Sequence, residues 1–240
     1  MHGIETLKKR IRDGEFLIGV AVSSNFDQAR LEEVLAQDDY AFVSADSQHS
    51  PFNEERLVEF CAVANGLGVP VIFRIKHTFH SYLVGNMLDL GPSGIEVPQV
   101  EEVATVDEAR AYFYYPQVGK RSWGGPRVGI KEHPDRVEYA EWWNERGVLW
   151  MQMESLRAVT GLRRFLKPGV DCLSWGPADM SFDREGHPEH PLRTDDDCVS
   201  HALKLLDGTG VRLVVRSSGL DQRRKYQAMG VTMLLETPMV

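Results

Sequence analysis

The sequence predicts a single α/β domain that folds as a closed (β/α)8 barrel. Short apolar runs alternate with amphipathic stretches along the chain, and its 240 residues are close to the roughly 250 of one such barrel. Strands that alternate with helices form parallel βαβ units, and eight of them in this length favour a closed barrel over an open sheet. The predicted strands are Phe16–Val22, Ala41–Ala45, Val69–Ile75, Gly94–Val97, Val148–Met153, Asp171–Trp175, Arg212–Arg216 and Thr232–Leu235.

Helical periodicity fills most of the segments between these strands. The stretch Asn53–Gly66 is typical, since it ends in a glycine, a common helix stop. No GxGxxG motif follows the first strand and no GxxxxGK[ST] motif occurs in the sequence, which argues against a dinucleotide-binding sheet or a P-loop. One domain over residues 1–240 is predicted, because no linker or low-complexity tract divides the chain. The other predicted helices are Phe26–Ala36, His80–Leu90, Thr105–Tyr114, Leu156–Leu166, Asp195–Leu206 and Leu220–Met229.

Little of the chain remains after the eighth predicted strand. Five residues follow Leu235, and Pro238 among them discourages a helix. The last helix of the barrel is therefore predicted to be missing or shortened. Because an uncovered barrel flank exposes apolar surface, we expect a homo-oligomer.

Composition excludes several classes of function. The 27 basic and 35 acidic residues give a net charge of −8, so the chain lacks the positive field that drives nucleic-acid binding. No apolar run approaches the roughly 18 residues of a transmembrane helix, so no membrane partner is expected. Two basic clusters, Lys8–Arg10 and Arg223–Lys225, are predicted to form solvated helix faces. The three cysteines are widely spaced, which predicts reduced, buried thiols and a cytoplasmic location.

Reactive residues of a (β/α)8 barrel collect where the strands end. Polar side chains follow five of the predicted strands, and we expect them to converge on one face. They are Asp46 and His49 after the second strand, Arg74 at the end of the third, Glu96 and Gln99 at the fourth, Gln152 and Glu154 at the fifth, and the segment Gly176–Ser181 after the sixth.

Glu154 and Asp179 lie at the ends of adjacent strands. Their carboxylate oxygens are well placed to bind one hard divalent cation and leave coordination positions for a substrate. The alternative is that Glu154 caps the following helix and Asp179 makes a turn or an N-cap hydrogen bond. Position alone does not separate the two interpretations.

His49 and Arg74 each have a functional and a structural interpretation. The ordinary pKa of histidine suits a general base at neutral pH, and the alternative for His49 is a surface-loop residue. Arg74 ends an apolar strand, so it either forms an ion pair in the barrel mouth or binds an anionic group of a substrate. His77 and His80 have no third ligand nearby, and we interpret them as surface residues.

Several segments together resemble the HpcH/HpaI family, the metal-dependent class II pyruvate aldolases that act on 2-keto-3-deoxy acids. The resemblance covers most of the chain and implies a (β/α)8 barrel of the phosphoenolpyruvate/pyruvate type. It also implies that the homo-oligomer is a hexamer or another dimer-based assembly. The segments that carry it are DSQHSP (Asp46–Pro51), the strand-end Arg74, LDLGPSGIEVPQVE (Leu88–Glu101), DEARAYFYYPQVGKRSWGGPR (Asp107–Arg127), MQMES (Met151–Ser155), GVDCLSWGPADMS (Gly169–Ser181) and GHPEHP (Gly186–Pro191).

The resemblance implies a role for each matching residue. Glu154 and Asp179 match the carboxylates that bind Mg²⁺, Mn²⁺ or Co²⁺. Arg74 matches the arginine that contacts the keto oxygen, and His49 matches the histidine that transfers a proton. The remaining matches are Asp46 and Asp89 as carboxylate partners of the histidine, and Gly176, Pro177, Ala178, Asp179 and Gln152 around the pyruvate carboxylate.

These roles imply an aldolase or lyase that cleaves or forms a C–C bond next to a 2-keto acid. The pyruvate enolate needs a cation and a guanidinium at its oxygen, and the substrates would be a 2-keto acid and an aldehyde or ketone acceptor. One alternative is a biosynthetic, citrate-synthase-like or macrophomate-synthase-like member of the family. The other is a catalytically weakened protein that binds a keto acid without turnover.

Three positions depart from the family pattern. Gln48 stands where the family commonly has a glutamate, and Ala21 lies near the position of a first-strand tryptophan. Trp123 is predicted to occupy the space that Ala21 opens and to contact substrate. Arg121 and Arg127 either meet an anionic group of the second substrate or are loop charges.

Overall fold

Eight parallel strands form a closed barrel, which confirms the predicted fold. The structure, a computed structural model, describes residues 3–124 and 135–238. The strands pair in chain order, and the last pairs with the first. They are β1 (Leu17–Val22), β2 (Phe42–Asp46), β3 (Val71–Arg74), β4 (Gly94–Val97), β5 (Val148–Met153), β6 (Cys172–Trp175), β7 (Arg212–Ser217) and β8 (Met233–Glu236).

Helices surround this barrel, and no described helix is long and apolar enough to cross a lipid bilayer. Two short 3-10 helices, Thr78–Leu83 and Leu162–Phe165, accompany them. The α-helices of the described residues are α1 (Ile4–Asp13), α2 (Gln28–Leu35), α3 (Glu54–Gly66), α4 (Val84–Leu88), α5 (Val103–Phe113), α6 (Arg136–Arg146), α7 (Leu156–Thr160), α8 (Pro177–Gly186), α9 (Asp195–Leu206) and α10 (Gly219–Ala228).

Two of the predicted helices are broken. The segment His80–Leu90 begins inside a 3-10 helix and becomes α-helical at Val84. The segment Leu156–Leu166 is interrupted at Gly161, between α7 and the second 3-10 helix. Two further helices lie where the sequence pattern predicts none: α6, after a segment rich in proline and glycine, and α8, which begins directly after β6.

The lower part of the barrel interior is apolar. Side chains alternate between the interior and the helical layer along each strand, and the interior set includes Leu17, Phe42 and Trp150. Leu7 and Ile11 of α1 join this cluster, and both are fully buried. The helix α1 therefore seals the end of the barrel at which the strands begin.

Lys8 is buried, so the prediction of a solvated face at Lys8–Arg10 is wrong at this residue. Its ammonium group donates to the hydroxyl of Tyr114 at 3.0 Å and to the carbonyl of Gly147 at 2.7 Å. It also lies 3.1 Å from a carboxylate oxygen of Asp171. Because α1 lies across the barrel end, one face of its basic cluster meets these acceptors, while Lys9 stays exposed.

An ion network lies on the outer face of β8. The described residues, which end at 238, include no helix after this strand. Arg223 of α10 donates to both carboxylate oxygens of Glu236, at 3.0 and 2.7 Å, and reaches Asp38 at 2.6 Å. The hydroxyl of Ser217 donates to the same Glu236 at 3.0 Å. The prediction of a solvated face is therefore also wrong at Arg223, because this side chain joins α10 to β8 and to the loop before β2.

Cys61, Cys172 and Cys198 are all free and buried, in agreement with the prediction. Burial raises the pKa of the Cys61 thiol to about 12 and that of Cys172 well above its ordinary value. A thiol in such surroundings is an inert packing group rather than a nucleophile.

Candidate active site

The barrel interior becomes polar toward the carboxyl ends of the strands. Asp46 pairs in register with Arg74, and Arg74 with Glu96, so these side chains lie at one height in the barrel. A cleft of about 380 Å³ opens there and is lined by these three residues, together with Arg216 of β7 and the small side chain of Ala21. This is the end of the barrel at which (β/α)8 enzymes carry their reactive groups.

Arg74 is held rigidly in this mouth. Its Nε donates to a carboxylate oxygen of Asp46 at 2.7 Å, and its Nη1 donates to the side-chain oxygen of Gln152 at 3.2 Å. Among the described residues, no side chain or carbonyl accepts a hydrogen bond from its Nη2. Arg74 therefore forms an ion pair with Asp46, and its Nη2 is left to donate to a ligand.

Asp46 shapes the loop that follows β2. Besides Arg74, its carboxylate accepts the backbone N–H groups of Gln48 at 2.9 Å and His49 at 3.2 Å. Burial raises the pKa of Asp46, but the hydrogen bond and charge of Arg74 and these two N–H groups outweigh it, so the pKa is lowered. Asp46 is thus ionised at neutral pH and fixes both the arginine and the loop.

His49 lies on this loop with its side chain exposed. The contact with Asp46 reaches the backbone N–H of His49 and not its ring. Asp46 therefore positions the backbone of His49, whereas the resemblance implies a carboxylate that contacts the imidazole ring. The imidazole itself is exposed to solvent.

Glu154 follows β5 and is packed tightly at the mouth. One carboxylate oxygen accepts the backbone N–H of Gln99 at 3.0 Å, and Gln99 has a φ of 48°, a strained conformation for a residue other than glycine. A Cβ on Gly176 would lie 2.5 Å from the Cγ of Glu154. Position 176 must therefore be glycine for the carboxylate to occupy this place.

Asp179 brings a second carboxylate against Glu154. Burial and the nearby charge of Asp179 raise the pKa of Glu154 to about 7, although Arg74 opposes this shift. The two carboxylates repel each other, and a hard divalent cation bound between them would remove this repulsion, because such a cation prefers oxygen ligands. No cluster of three or more His, Cys, Asp or Glu residues with metal-binding geometry occurs in the described part of the chain, so protein groups would fill only part of a coordination shell.

Helix α8 begins directly above these carboxylates. Gly176 is its N-cap residue, Pro177 its first residue and Asp179 its third. The first N–H groups of a helix have no partner within the helix and point toward anions. Ala178 is exposed at this end, so its N–H and that of Asp179 are available to a ligand carboxylate.

Asp89 and Trp123 are not brought to the mouth. Asp89 ends α4 just before β4 begins, where Arg121 donates to its carboxylate at 2.7 Å. Trp123 packs on Tyr115 and Tyr139 in the outer helical layer, with ring centroids 5.6 Å apart in both pairs. The space at Ala21 is therefore not filled by Trp123 within this chain.

Arg121 is buried and stacks over the rings of Tyr115 and Trp143 at 4.6 and 4.8 Å. Neither predicted role for Arg121, a substrate contact or a loop charge, matches this position. Arg127 lies outside the described residues.

Comparison with known proteins assigns the chain to a family. The family model "HpcH/HpaI aldolase/citrate lyase" matches residues 28–195. The chain belongs to this family. A 2-keto-3-deoxy-L-rhamnonate aldolase of Escherichia coli O157:H7 is 32% identical over 193 residues, which span 76% of this chain and 69% of the relative. The HpcH/HpaI family is enzymatic, and such relatives are carbon–carbon lyases.

Solved structures support the same assignment. An HpcH/HpaI aldolase from Desulfitobacterium hafniense DCB-2 superposes with a TM-score of 0.81 at 25% identity, covering 96% of this chain and 89% of that one. A citrate synthase superposes with a TM-score of 0.80 at 24% identity, covering 97% of this chain and 90% of that one. The second likeness shows the shared fold alone.

Two charged residues of this HpcH/HpaI barrel received no role from the sequence. Glu96 and Arg216 point into the mouth, where the carboxylate of Glu96 accepts a short hydrogen bond from the Ser174 hydroxyl. The Nη2 of Arg216 lies 3.6 Å from the same carboxylate. The sequence feature that could have identified them is a charged residue within an otherwise apolar strand. The two-residue alternation of a strand, however, does not tell which of its two faces points into the barrel.

Proposed function

We propose that this protein is a metal-dependent lyase that cleaves or forms a C–C bond next to a 2-keto acid through a pyruvate enolate. The observation that carries the proposal is that the carboxylates of the buried Glu154 and the half-buried Asp179 lie together at the mouth that also holds Arg74. The resemblance of the chain to a 2-keto-3-deoxy-L-rhamnonate aldolase supports the same reaction class.

Glu154 and Asp179 would hold a divalent cation such as Mg²⁺, Mn²⁺ or Co²⁺. The raised pKa of Glu154 and the oxygen-only donor set fit such an ion. When bound, the cation polarises the keto group and stabilises negative charge on its oxygen.

Substrate binding would use donors from two places, the start of α8 and the end of β3. The N–H groups of Ala178 and Asp179, at the start of α8, bind the 2-keto carboxylate, which the positive end of the helix also favours. Arg74 donates from Nη2 to the keto oxygen, because its Nε and Nη1 are already engaged by Asp46 and Gln152. These donors are fixed before the substrate arrives, so little reorganisation is needed as charge develops.

His49 would move the proton. During cleavage its imidazole takes a proton from the substrate hydroxyl, and the C–C bond electrons pass to the keto oxygen to give the enolate. During condensation the proton returns to the new alkoxide. The exposed loop position of His49 suits this role, since the hydroxyl belongs to the half of the substrate that enters from outside.

Exchange of the pyruvate methyl protons tests the proposal without knowledge of the acceptor. In D₂O, NMR should show exchange with added Mg²⁺ or Co²⁺ and loss of exchange with EDTA. Glu154→Gln should abolish exchange, while Glu59→Gln, in an exposed ion pair of α3, serves as the matched control and should retain it.

Two outcomes would contradict the proposal. Full exchange in EDTA would remove the metal from the mechanism. Calorimetric binding of pyruvate without exchange in the presence of metal would favour the alternative of a keto-acid-binding protein. A biosynthetic condensation would retain exchange and would be recognised from the mass of the product with each acceptor.

We also propose a homo-oligomer. Large apolar side chains are exposed on three elements: Phe79 is 78% accessible, Phe182 73% and Leu220 59%. Apolar surface of this kind is commonly covered by a second subunit. Light scattering of the purified protein should give a mass of two or more chains, and a stable monomer would contradict it.

A further inference from the structure

The buried carboxylate of Glu96 is only half satisfied. Its residue is fully buried in the barrel interior, and one oxygen accepts from the Ser174 hydroxyl. The other oxygen, Oε2, is buried and has no hydrogen-bond partner among residues 3–124 and 135–238. Buried polar atoms of this kind are rare in proteins, because the lost hydration is not replaced.

Arg216 provides hydrogen-bond donors beside this carboxylate. Its Nη2 lies 3.6 Å from Oε1 of Glu96, the oxygen that accepts from Ser174, so the two form an ion pair that is too long for a hydrogen bond. The side chain is 28% exposed and lines both the cleft of about 380 Å³ and an adjoining cleft of about 300 Å³. A guanidinium has five N–H donors, so Arg216 retains donors for a ligand in either cleft.

The chemistry of the pair selects a type of ligand. A hydroxyl group both donates and accepts, and so it can satisfy Oε2 of Glu96 and an N–H of Arg216 together. A ligand carboxylate would be repelled by the negative charge of Glu96, which already neutralises the positive charge of Arg216. An apolar group would leave both polar groups without partners.

We propose that Glu96 and Arg216 are specificity-determining residues that bind a hydroxyl group on the acceptor half of the substrate. This inference rests on the proposed function and names the acceptor chemistry, a hydroxylated aldehyde. Arg74, which would bind the keto oxygen, pairs in register with Glu96 and lines the same cleft. The subsite therefore adjoins the reacting carbonyl, on the side of the barrel toward β7.

The test compares glyceraldehyde with propanal as acceptors for pyruvate, with Mn²⁺ present. The ratio of kcat/KM for the two aldehydes measures the subsite, because any change in the enolate step affects both and cancels. We expect the wild type to favour glyceraldehyde by about 100-fold or more, since propanal leaves buried polar groups unpaired. Arg216→Gln and Glu96→Gln should each lower this ratio about tenfold or more, the scale of one hydrogen bond to a charged group.

The matched control is Ser44→Ala, which alters a buried side chain of the same cleft and should keep the wild-type ratio. If Glu96→Gln does not fold, Arg216→Gln decides alone, because its side chain is partly exposed. A wild-type ratio near one, or folded variants that keep the wild-type ratio, would overturn the inference.

A preference for glyoxylate that only Arg216→Gln removes would also overturn it, in favour of an anionic acceptor. If the wild type does not exchange the methyl protons of pyruvate, the proposed function is overturned, and the inference with it. Retained exchange without acceptor discrimination would overturn the subsite alone.

Discussion

Each end of this barrel holds an ion pair, and the two pairs differ in how completely their charged groups are hydrogen-bonded. At the closed end, Lys8 has three partners, and Asp171 also accepts the backbone N–H of Leu149 at 3.0 Å. At the mouth, one oxygen of Glu96 has no hydrogen-bond partner within the described ranges, and Nη2 of Arg216 lies 3.6 Å from the other oxygen. A saturated pair has nothing left to offer a ligand, whereas an incomplete pair does.

At the closed end, burial shifts the pKa values of both members of the ion pair. Burial lowers the pKa of Lys8 and raises that of Asp171, and their mutual attraction and hydrogen bonds oppose these shifts. Removal of one partner from such a pair leaves an uncompensated buried charge. The closed end is therefore expected to govern stability, and the mouth is expected to govern activity.

The largest expected effect is on activity, at the mouth. Arg74→Gln removes the proposed keto-oxygen donor, and kcat for pyruvate methyl exchange should fall roughly 10²–10³-fold, as for other fixed donors at a developing oxyanion. The thermal midpoint should change little, because Asp46 remains partly solvated. Unchanged exchange kinetics would exclude Arg74 from the reaction.

The next effect is on stability, at the closed end. Lys8→Met leaves the buried carboxylate of Asp171 with only the N–H of Leu149 and the exposed Arg12 at 3.8 Å, and the free energy of unfolding should fall by about 3 kcal/mol in urea titrations. Activity per folded molecule should stay near the wild-type value. Lys9→Met, at a neighbouring exposed residue, is the control and should change stability by less than about 0.5 kcal/mol.

A double variant asks whether the closed-end pair itself stabilises the barrel. Lys8→Met combined with Asp171→Leu removes both charges, and most of the lost stability should return, because apolar groups often replace a buried pair without cost. If the double variant is less stable than Lys8→Met, the hydrogen bond that the Asp171 carboxylate accepts from Leu149 of β5 contributes more to stability than the removal of its charge recovers.

The smallest expected effect is a pH dependence at the mouth. Since the folded-state pKa of Asp46 is lowered, the Asp46–Arg74 pair contributes stability above the unfolded pKa of about 3.9. That contribution is lost as the pH falls through the lower folded-state pKa. Wild type should therefore exceed Asp46→Asn by at most about 1 kcal/mol near neutral pH. The two curves should converge in acid, and a constant gap down to pH 2 would contradict this.

Local pattern was sufficient for the strands and for part of the candidate site. All eight predicted strands overlap the observed ones, because the apolar runs of a parallel barrel are short and continuous. Residues that directly follow a strand, such as Arg74 and Glu154, reach the mouth for the same reason. Asp89 and Trp123 do not reach the mouth, because each comes after a helix rather than directly after a strand. The periodicity of a helix does not tell where the chain that follows it will lie.

By itself the sequence determined the barrel, its strand order and the carboxylates and arginine at its mouth, since these depend on neighbours along the chain. Tertiary structure alone decided which buried charges found partners. Lys8 meets Asp171 and Glu96 meets Arg216 across more than a hundred residues of chain. Hydrogen bonding inside a closed barrel is a matter of distances across the interior, and those distances exist only once the last strand has paired with the first.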